Sequence, residues 1–342
     1  MSERTIRPGA ATMIDVARLA GVSTATVSRV LNGVATVDSA LAERVRSAAD
    51  EVRYVTNTTG RALRRQRIDT WAAVVADVEN HFFTSMVAAL ENVAQVAGFS
   101  VMLCNSDEDV ARERRYLQAA IAQRMSGVVI AVVSETDSSL QSLLDAGIPT
   151  VAVDRRVHDF AGDAILLDNV EAGRMAARHL LSQGYAAPLC IAGPRDVSTT
   201  EDRLAGFREV FAEEGVSVAD SRVIRTELLG ERAEGIVADQ VEADPDVDAV
   251  FALNGPLTAA SFRGIEAARR RIPGDVALLG VDDDHWTRMV NPRVSVVAQP
   301  VDRIGQLAGE VLAARTRGEE RDAEHVLLAP ELRIRASTSR RS

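Results

Sequence analysis

The sequence predicts two architectures in one chain: an all-α helix-turn-helix headpiece, then an α/β domain of two doubly wound parallel-sheet subdomains. Three observations carry this prediction. An apolar pattern of helical period, broken by one glycine, occupies 13–31. From Trp71 onward, short apolar runs alternate with helical stretches. Charge divides at the same place: residues 1–70 hold 11 Arg against 7 carboxylates (+4), and the remainder holds 28 basic and 42 acidic residues (−14). A small basic module on an acidic body suits contact with phosphates at one end only. All 39 basic residues are arginine, which excludes lysine Schiff bases and lysine-dependent phosphate loops.

The headpiece comes first. Ile14, Val16, Ala17, Leu19 and Ala20 have the spacing of one buried helix face, and Gly21 is placed to end that helix. Ser23 is the expected N-cap of a second helix over Thr24–Leu31, with Val27, Val30 and Leu31 inward. Its outer face then shows Thr24, Ala25, Ser28, Arg29 and Asn32, residue types that read major-groove edges and phosphates. A third helix, capped by Asp38, is expected over Ser39–Glu51, with Leu41, Val45, Ala48, Ala49 and Val52 as its packing stripe. Taken alone, the pattern also fits a three-helix cap without a ligand, though the exposed polar set favours DNA binding.

In the larger domain the runs are WAAVVADV, FSVMLC, GVVIAVV, IPTVAVD, PLCIAG, DAVFALN and VALLGVD, with a further strand expected at Val294–Ala298. Continuous apolar runs separated by helices are buried parallel strands, and their ligands bind where the strands end. Polar or aromatic residues directly after the runs are therefore candidates: Asn80–Phe83, Ser134, Asp154, Arg155, Asp168, Asn169, Asn254 and Asp282–Asp284. Cys104 and Cys190 sit within apolar runs and read as buried structural thiols. The five histidines lack ligand-like spacing, so neither a metal nor another cofactor is expected. No serine-histidine-aspartate elbow or nucleotide-binding glycine loop is present, so an enzyme is not expected either. No apolar run nears the ~18 residues of a membrane span. The opening MSERTIRPGAATM has no apolar stretch, and a cytoplasmic location is expected.

The run TMIDVARLAGVSTATVSRVLN, Thr12–Asn32, resembles the headpiece of the LacI/GalR family of bacterial regulators, matching at Thr12, Asp15–Ala17, Ala20–Ser23 and Ala25–Asn32. The resemblance implies DNA binding, with Thr24, Ala25 and Arg29 facing base edges and Ser23, Thr26, Ser28 and Asn32 holding phosphates. It extends over nearly the whole chain through N-x-F-F (Asn80, Phe82, Phe83), V-D-R (Val153–Arg155), D-N (Asp168, Asn169), R-L-A-G-F (Arg203–Phe207) and G-x-D-D (Gly280, Asp282, Asp283). It implies a periplasmic-binding-protein-like effector domain, with a small molecule in the cleft. Phe82, Phe83, Ser134, Asp154, Arg155, Arg203, Asn254 and Asp282 are the expected effector contacts, and Arg203, Asn254 and Asp282 the foremost polar ones. Three departures bear on the ligand: Gly255 follows Asn254 where the family has an acid, Val281 precedes the Asp pair where it has an aromatic, and His81 replaces a proline.

The family also implies a hinge helix that enters the minor groove and wedges a base step, matched here by Asn57, Arg61 and Leu63. Thr56 and Gly60 depart from that pattern. The expected organisation is a headpiece at 1–56, a hinge at 57–69, an effector domain at 70–335 and a disordered tail at 336–342. The subdomains are expected at 70–167 with 299–320, and at 168–298 with 321–335. The expected function is a homodimeric, effector-controlled repressor on a pseudo-palindromic double-stranded DNA operator, its effector a sugar or else a nucleoside or other metabolite. A solute-binding protein would share the effector domain but has no use for Thr12–Asn32. Glycine within a helix costs about 1 kcal/mol relative to alanine. Gly60→Ala should therefore tighten operator binding several-fold at fixed salt, measured by fluorescence anisotropy; an unchanged or weaker affinity counts against a helical hinge.

Overall fold

The computed structural model describes residues 11–31, 37–54, 67–227 and 232–339. Asn32, Thr56, Asn57, Gly60, Arg61 and Leu63 lie outside the described residues. The chain divides into two compact units, Met1–Ile68 and Asp69–Ser342.

Among its described residues the first unit holds three helices: α1 (Met13–Ala20), α2 (Thr24–Leu31) and α3 (Ser39–Glu51). Thr12 opens α1 with a capping box, its hydroxyl 2.6 Å from Asp15 Oδ2 while its own N–H donates to the same oxygen at 2.9 Å. Gly21 closes α1 in the left-handed conformation at φ 67°, where a Cβ would be strained. Ser23 Oγ accepts from Thr26 N at 3.2 Å and so caps α2. Asp38 caps α3 through Ala40 N and Leu41 N. Val16, Ala17, Ala20, Val27, Val30, Ala42, Val45, Ala48 and Ala49 form the core. The expected α1 stripe was too wide. Ile14 is 61 % and Leu19 47 % exposed, because each falls about 110° from the centre of the arc set by Val16, Ala17 and Ala20.

The second unit contains two six-stranded sheets of the same winding. The first has the order β11-β5-β4-β3-β1-β2 and the second β12-β10-β9-β8-β6-β7. The first uses β1 (Ile68–Val75), β2 (Ser100–Asn105), β3 (Met125–Ile130), β4 (Thr150–Val153), β5 (Asp163–Leu167) and β11 (His325–Leu328). The second uses β6 (Pro188–Ala192), β7 (Val223–Arg225), β8 (Ala249–Ala252), β9 (Ala277–Val281), β10 (Ser295–Ala298) and β12 (Glu331–Arg333). Among the registers described, only β10 with β12 is antiparallel. Helices α4 (His81–Ala97), α5 (Val110–Ala122), α6 (Gln141–Asp145) and α11 (Val301–Thr316) accompany the first sheet. Helices α7 (Asn169–Ser182), α8 (Ser198–Glu213), α9 (Ala233–Ala243) and α10 (Gly255–Ala267) accompany the second. Trp71, Phe82, Phe83, Met86, Leu90 and Leu312 fill the first core, and Phe207, Phe211 and Phe251 stack in the second.

The chain crosses between the sheets three times: after β5, after β10 and between β11 and β12. The last crossing corrects the expected boundary, which gave 321–335 wholly to the second subdomain. Strand register divides that segment instead: β11 lies parallel to β5, Val326 opposite Ile165, and only β12 joins the second sheet.

The tail is a second correction. Ala336–Thr338 form a short 3₁₀ turn in which Ser337 and Thr338 are fully buried. Ser337 Oγ donates to Leu278 O at 2.6 Å and accepts from Ser295 N at 2.8 Å. Thr338 Oγ1 lies 2.7 Å from both Ser295 Oγ and His179 Nε2. Removing such partners leaves buried donors and acceptors unsatisfied, at about 1–3 kcal/mol each. Truncation before Ala336 should therefore lower the urea midpoint of the protein; an unchanged midpoint would show that the tail is only draped on the surface.

Candidate functional site

In the headpiece, Ser23, Thr24, Ala25 and Arg29 lie along the start and outer side of α2, with Thr24 and Ala25 exposed. Thr26 Oγ1 lies 2.9 Å from Ser23 Oγ, so these two hydroxyls help order the helix start. The outward set is thus a hydroxyl, a methyl and a guanidinium on a short, well-capped helix.

In the second unit, strand ends from both sheets converge on a small, partly open cavity. It is lined by Asp77, Asn80, Phe82, Phe83, Glu108, Asp154, Arg155, Thr199, Thr200, Arg203, Leu253, Asn254, Pro256, Asp282 and Gln299. Asp154 follows β4 and Asp282 follows β9, the equivalent strands of the two windings, and both adopt left-handed backbone at φ 66° and 73°. Such conformations persist only where their surroundings hold them, and aspartate tolerates them better than most residues. Asp282 is held firmly: Oδ2 accepts from Gly255 N at 3.1 Å and Oδ1 from Gln299 Nε2 at 2.8 Å.

Arg203 reaches the cavity because α7 and α8 cross closely. A Cβ on Gly173 would stand 1.9 Å from Arg203 O, and one on Gly206 would stand 2.0 Å from Val170 O. Across this contact Arg203 Nε donates to Asn169 Oδ1 at 2.8 Å, and Nη1 donates to Leu253 O at 2.6 Å. Arg155 is more fully engaged. Its Nη1 donates to Glu108, Val132 O and Val133 O, and its Nη2 to Glu108 Oε1 at 2.6 Å. It forms the cavity wall as one half of a bidentate buried pair.

Two expected features lie elsewhere. Ser134 does not line the cavity; its hydroxyl accepts from Asp137 N at 3.0 Å within a turn after β3. Val281 is packed in the second core, because strand alternation turns it away from the cavity, so its identity does not alter the cavity wall. Gly255 does matter: a Cβ there would lie 3.2 Å from Asp282 Oδ2. His81 is exposed and does not line the cavity; its ring lies 4.9 Å from that of His285. Asp283, beside Asp282, points away to Arg335 and Arg333 and ties β12 to the loop after β9.

Comparison with known proteins agrees with this geometry. Residues 12–57 match the bacterial regulatory proteins of the lacI family, and residues 177–338 match the periplasmic binding protein-like domain. The ribose operon repressor of Halalkalibacterium halodurans is 31 % identical over 327 residues, 96 % of this chain and 97 % of that protein. The chain belongs to the lacI family. Among solved structures, the transcriptional regulator CelR–cellobiose complex is 30 % identical with TM-score 0.72, covering 96 % of this chain and 99 % of that one. The lac repressor dimer bound to operator and the anti-inducer ONPF shares the fold at TM-score 0.83 and 22 % identity, covering 96 % of this chain and 99 % of that one. This LacI-family chain is a DNA-binding transcriptional regulator, as its relatives are. No helix among the described residues is long and apolar enough to cross a membrane.

The strand-end rule, applied to every run, would also have reached two lining residues of this LacI-family regulator: Asp77 just past β1 and Gln299 just past β10. Glu108 and Pro256 also lie within a few residues of the ends of β2 and β8, whereas Thr199 and Thr200, on the first turn of α8, carry no such signal.

Burial pushes the Asp154 carboxyl up to about 6; Arg155 and Arg203 oppose the rise, and Asp282 and Glu108 add to it. Burial likewise raises Asp77. For a carboxyl whose folded pKa exceeds its unfolded 3.8, the stabilising contribution is complete below about pH 4 and is lost as pH rises through about 6. Asp154→Asn should therefore stabilise the protein at pH 7 by roughly 1–3 kcal/mol and much less near pH 4. Urea unfolding at the two pH values measures this; an equal effect at both would remove ionisation as the cause.

Proposed function

We propose that the regulator is a homodimeric repressor whose cleft binds an unphosphorylated polyol of the sugar class, and that Thr24, Ala25 and Arg29 read operator bases. The observation that carries the effector reading is the composition of the cavity. Asp77, Asp154, Asp282 and Glu108 face it together with Arg155 and Arg203, so acceptors and negative charge predominate. Hydroxyl donors are the natural complement to such a set, with Asn80, Asn254 and Gln299 able to pair with vicinal hydroxyls. Phe82 and Phe83, in T-shaped contact at 5.1 Å, offer an apolar face for a sugar ring. A phosphate would meet a net excess of carboxylate charge, four carboxylates against two arginines, and like-charge juxtaposition costs several kcal/mol. The cellobiose bound to CelR belongs to the same chemical class.

On the DNA side, the exposure of Thr24, Ala25 and Arg29 on α2 supports direct base contact, with phosphates left to the hydroxyls of Ser23, Thr26 and Ser28. A dimer would match the two-fold symmetry of a pseudo-palindromic operator, as the operator-bound lac repressor dimer does. Effector and operator are linked only if the sugar binds the two subdomain arrangements with different affinity.

Arg203→Ala should leave operator affinity unchanged and abolish its response to a free pentose or hexose, read by anisotropy on an operator duplex. A sugar phosphate should neither shift the operator affinity nor raise the melting temperature, whereas the matching free sugar at 100 times its Kd should stabilise by about 2.7 kcal/mol. Preferential binding of the phosphorylated sugar, or an intact response in the variant, would overturn this assignment.

A further inference from the structure

The two subdomains are also joined outside the cavity, through the first turn of α8. That helix begins at Ser198 after Val197, whose side chain provides no cap. The first N–H groups of any helix lack partners within it. The partner for Ser198 N comes from the other subdomain: Glu135 Oε1, at 2.6 Å. Glu135 lies in the turn after β3 and is only 7 % exposed. A carboxylate is well suited to this place, since it satisfies an orphan donor and complements the positive end of the helix dipole. Donor and acceptor belong to different subdomains, so the bond exists only while the subdomains are this close.

A second contact lies on the same turn. Arg156, just past β4, donates to both carboxylate oxygens of Asp202, Nη1 at 2.7 Å and Nη2 at 3.2 Å. Ser198 and Asp202 bracket Thr199 and Thr200, and Asp202 directly precedes Arg203. The segment of α8 that lines the cavity is therefore gripped at both ends by the first subdomain.

The Glu135 turn is itself braced from the cavity side. Arg155 donates to Val132 O and Val133 O at 3.0 and 2.9 Å, and buried Glu113 accepts from Val133 N at 2.7 Å. His158 N donates to Glu135 O at 3.1 Å. The arginine that forms the cavity wall thus also fixes the backbone from which Glu135 extends.

We propose that Glu135 and Arg156 form a clasp that closes the cleft independently of the effector, Glu135 acting as a positioning residue for Thr199, Thr200 and Arg203. The clasp sets the fraction of molecules already competent to bind. Weakening it lowers apparent effector affinity by that fraction while the ranking of ligands stays the same. This consequence rests on the sugar-binding reading; the clasp itself does not.

The test uses the full chain without added ligand, by hydrogen exchange over 198–203 and by the distance between fluorophores on the two subdomains. Glu135→Ala should speed exchange there about tenfold, as expected on losing a hydrogen bond to a charged group, and should lengthen the mean distance. Glu135→Gln keeps an acceptor oxygen and should restore most of the protection. Arg156→Asp should widen the cleft, and adding Asp202→Arg should close it again. With a free pentose or hexose, Glu135→Ala should then weaken apparent Kd about tenfold with ligand order preserved. Unchanged exchange and distance in ligand-free Glu135→Ala would overturn the clasp. Altered ligand-free values with no sugar bound by the unmodified protein would support the clasp and sink the sugar assignment instead. Should Glu135→Ala fail to fold, the Arg156 and Asp202 reversal, on partly exposed side chains, decides the matter alone.

Discussion

Arg203 carries a permanent charge into a place where it is 3 % exposed, and much of the cleft follows from the need to compensate it. Withdrawal from water opposes its charge, and Asp282, Asp154 and Asp202 favour it. A buried guanidinium is tolerable only when its donors are used and countercharges are near. Asn169 and Leu253 O take two donors from the second subdomain, while Asp154 supplies charge from the first. The compensation therefore spans both sheets, and separating them would raise the cost of leaving Arg203 where it is. The glycine crossing of α7 and α8 belongs to the same requirement, because it lets the Arg203 backbone approach Asn169 closely.

Using one winding twice gives the cleft its approximate symmetry. Asp154 and Asp282 occupy equivalent strand ends, share a left-handed backbone, and present carboxylates from opposite sides. Their environments nevertheless differ. Asp282 has two hydrogen-bond donors on its oxygens, whereas Asp154 has Arg155 Nε at 3.7 Å and a pKa pushed up to about 6. A ligand that donates to Asp154 favours the ionised form, so the less satisfied of the pair has more to gain from binding.

What the sequence made legible follows from where the physics is local. The headpiece could be read almost completely, because caps at Ser23 and Asp38 and a left-handed Gly21 are short-range chemistry. The central strands could be read because both their faces are buried. Edge strand β11, with alternating half-buried and exposed residues, left a weak signal, and the last subdomain boundary was misplaced with it. Ser337 and Thr338 look like a polar tail in composition; their burial depends on partners 42 to 159 residues distant, which no local pattern records. Ser134 illustrates the opposite error, a residue at a strand end whose turn carries it away from the cavity. Glu135, its neighbour, had no distinguishing mark, since its significance lies wholly in a backbone N–H at a helix start of the other subdomain.

The three crossings between sheets also govern the order in which the molecule can be completed at the ribosome. Strand β5 ends at Leu167, and its outer neighbour β11 begins only at His325. At about 5–20 residues per second, synthesis of the intervening chain takes roughly ten to thirty seconds. During that interval the edge of β5 and the surface awaiting α11 remain unpaired. The first sheet is thus begun first and finished nearly last, so the nascent chain must protect an open strand edge while β6 to β10 of the second sheet are still being made.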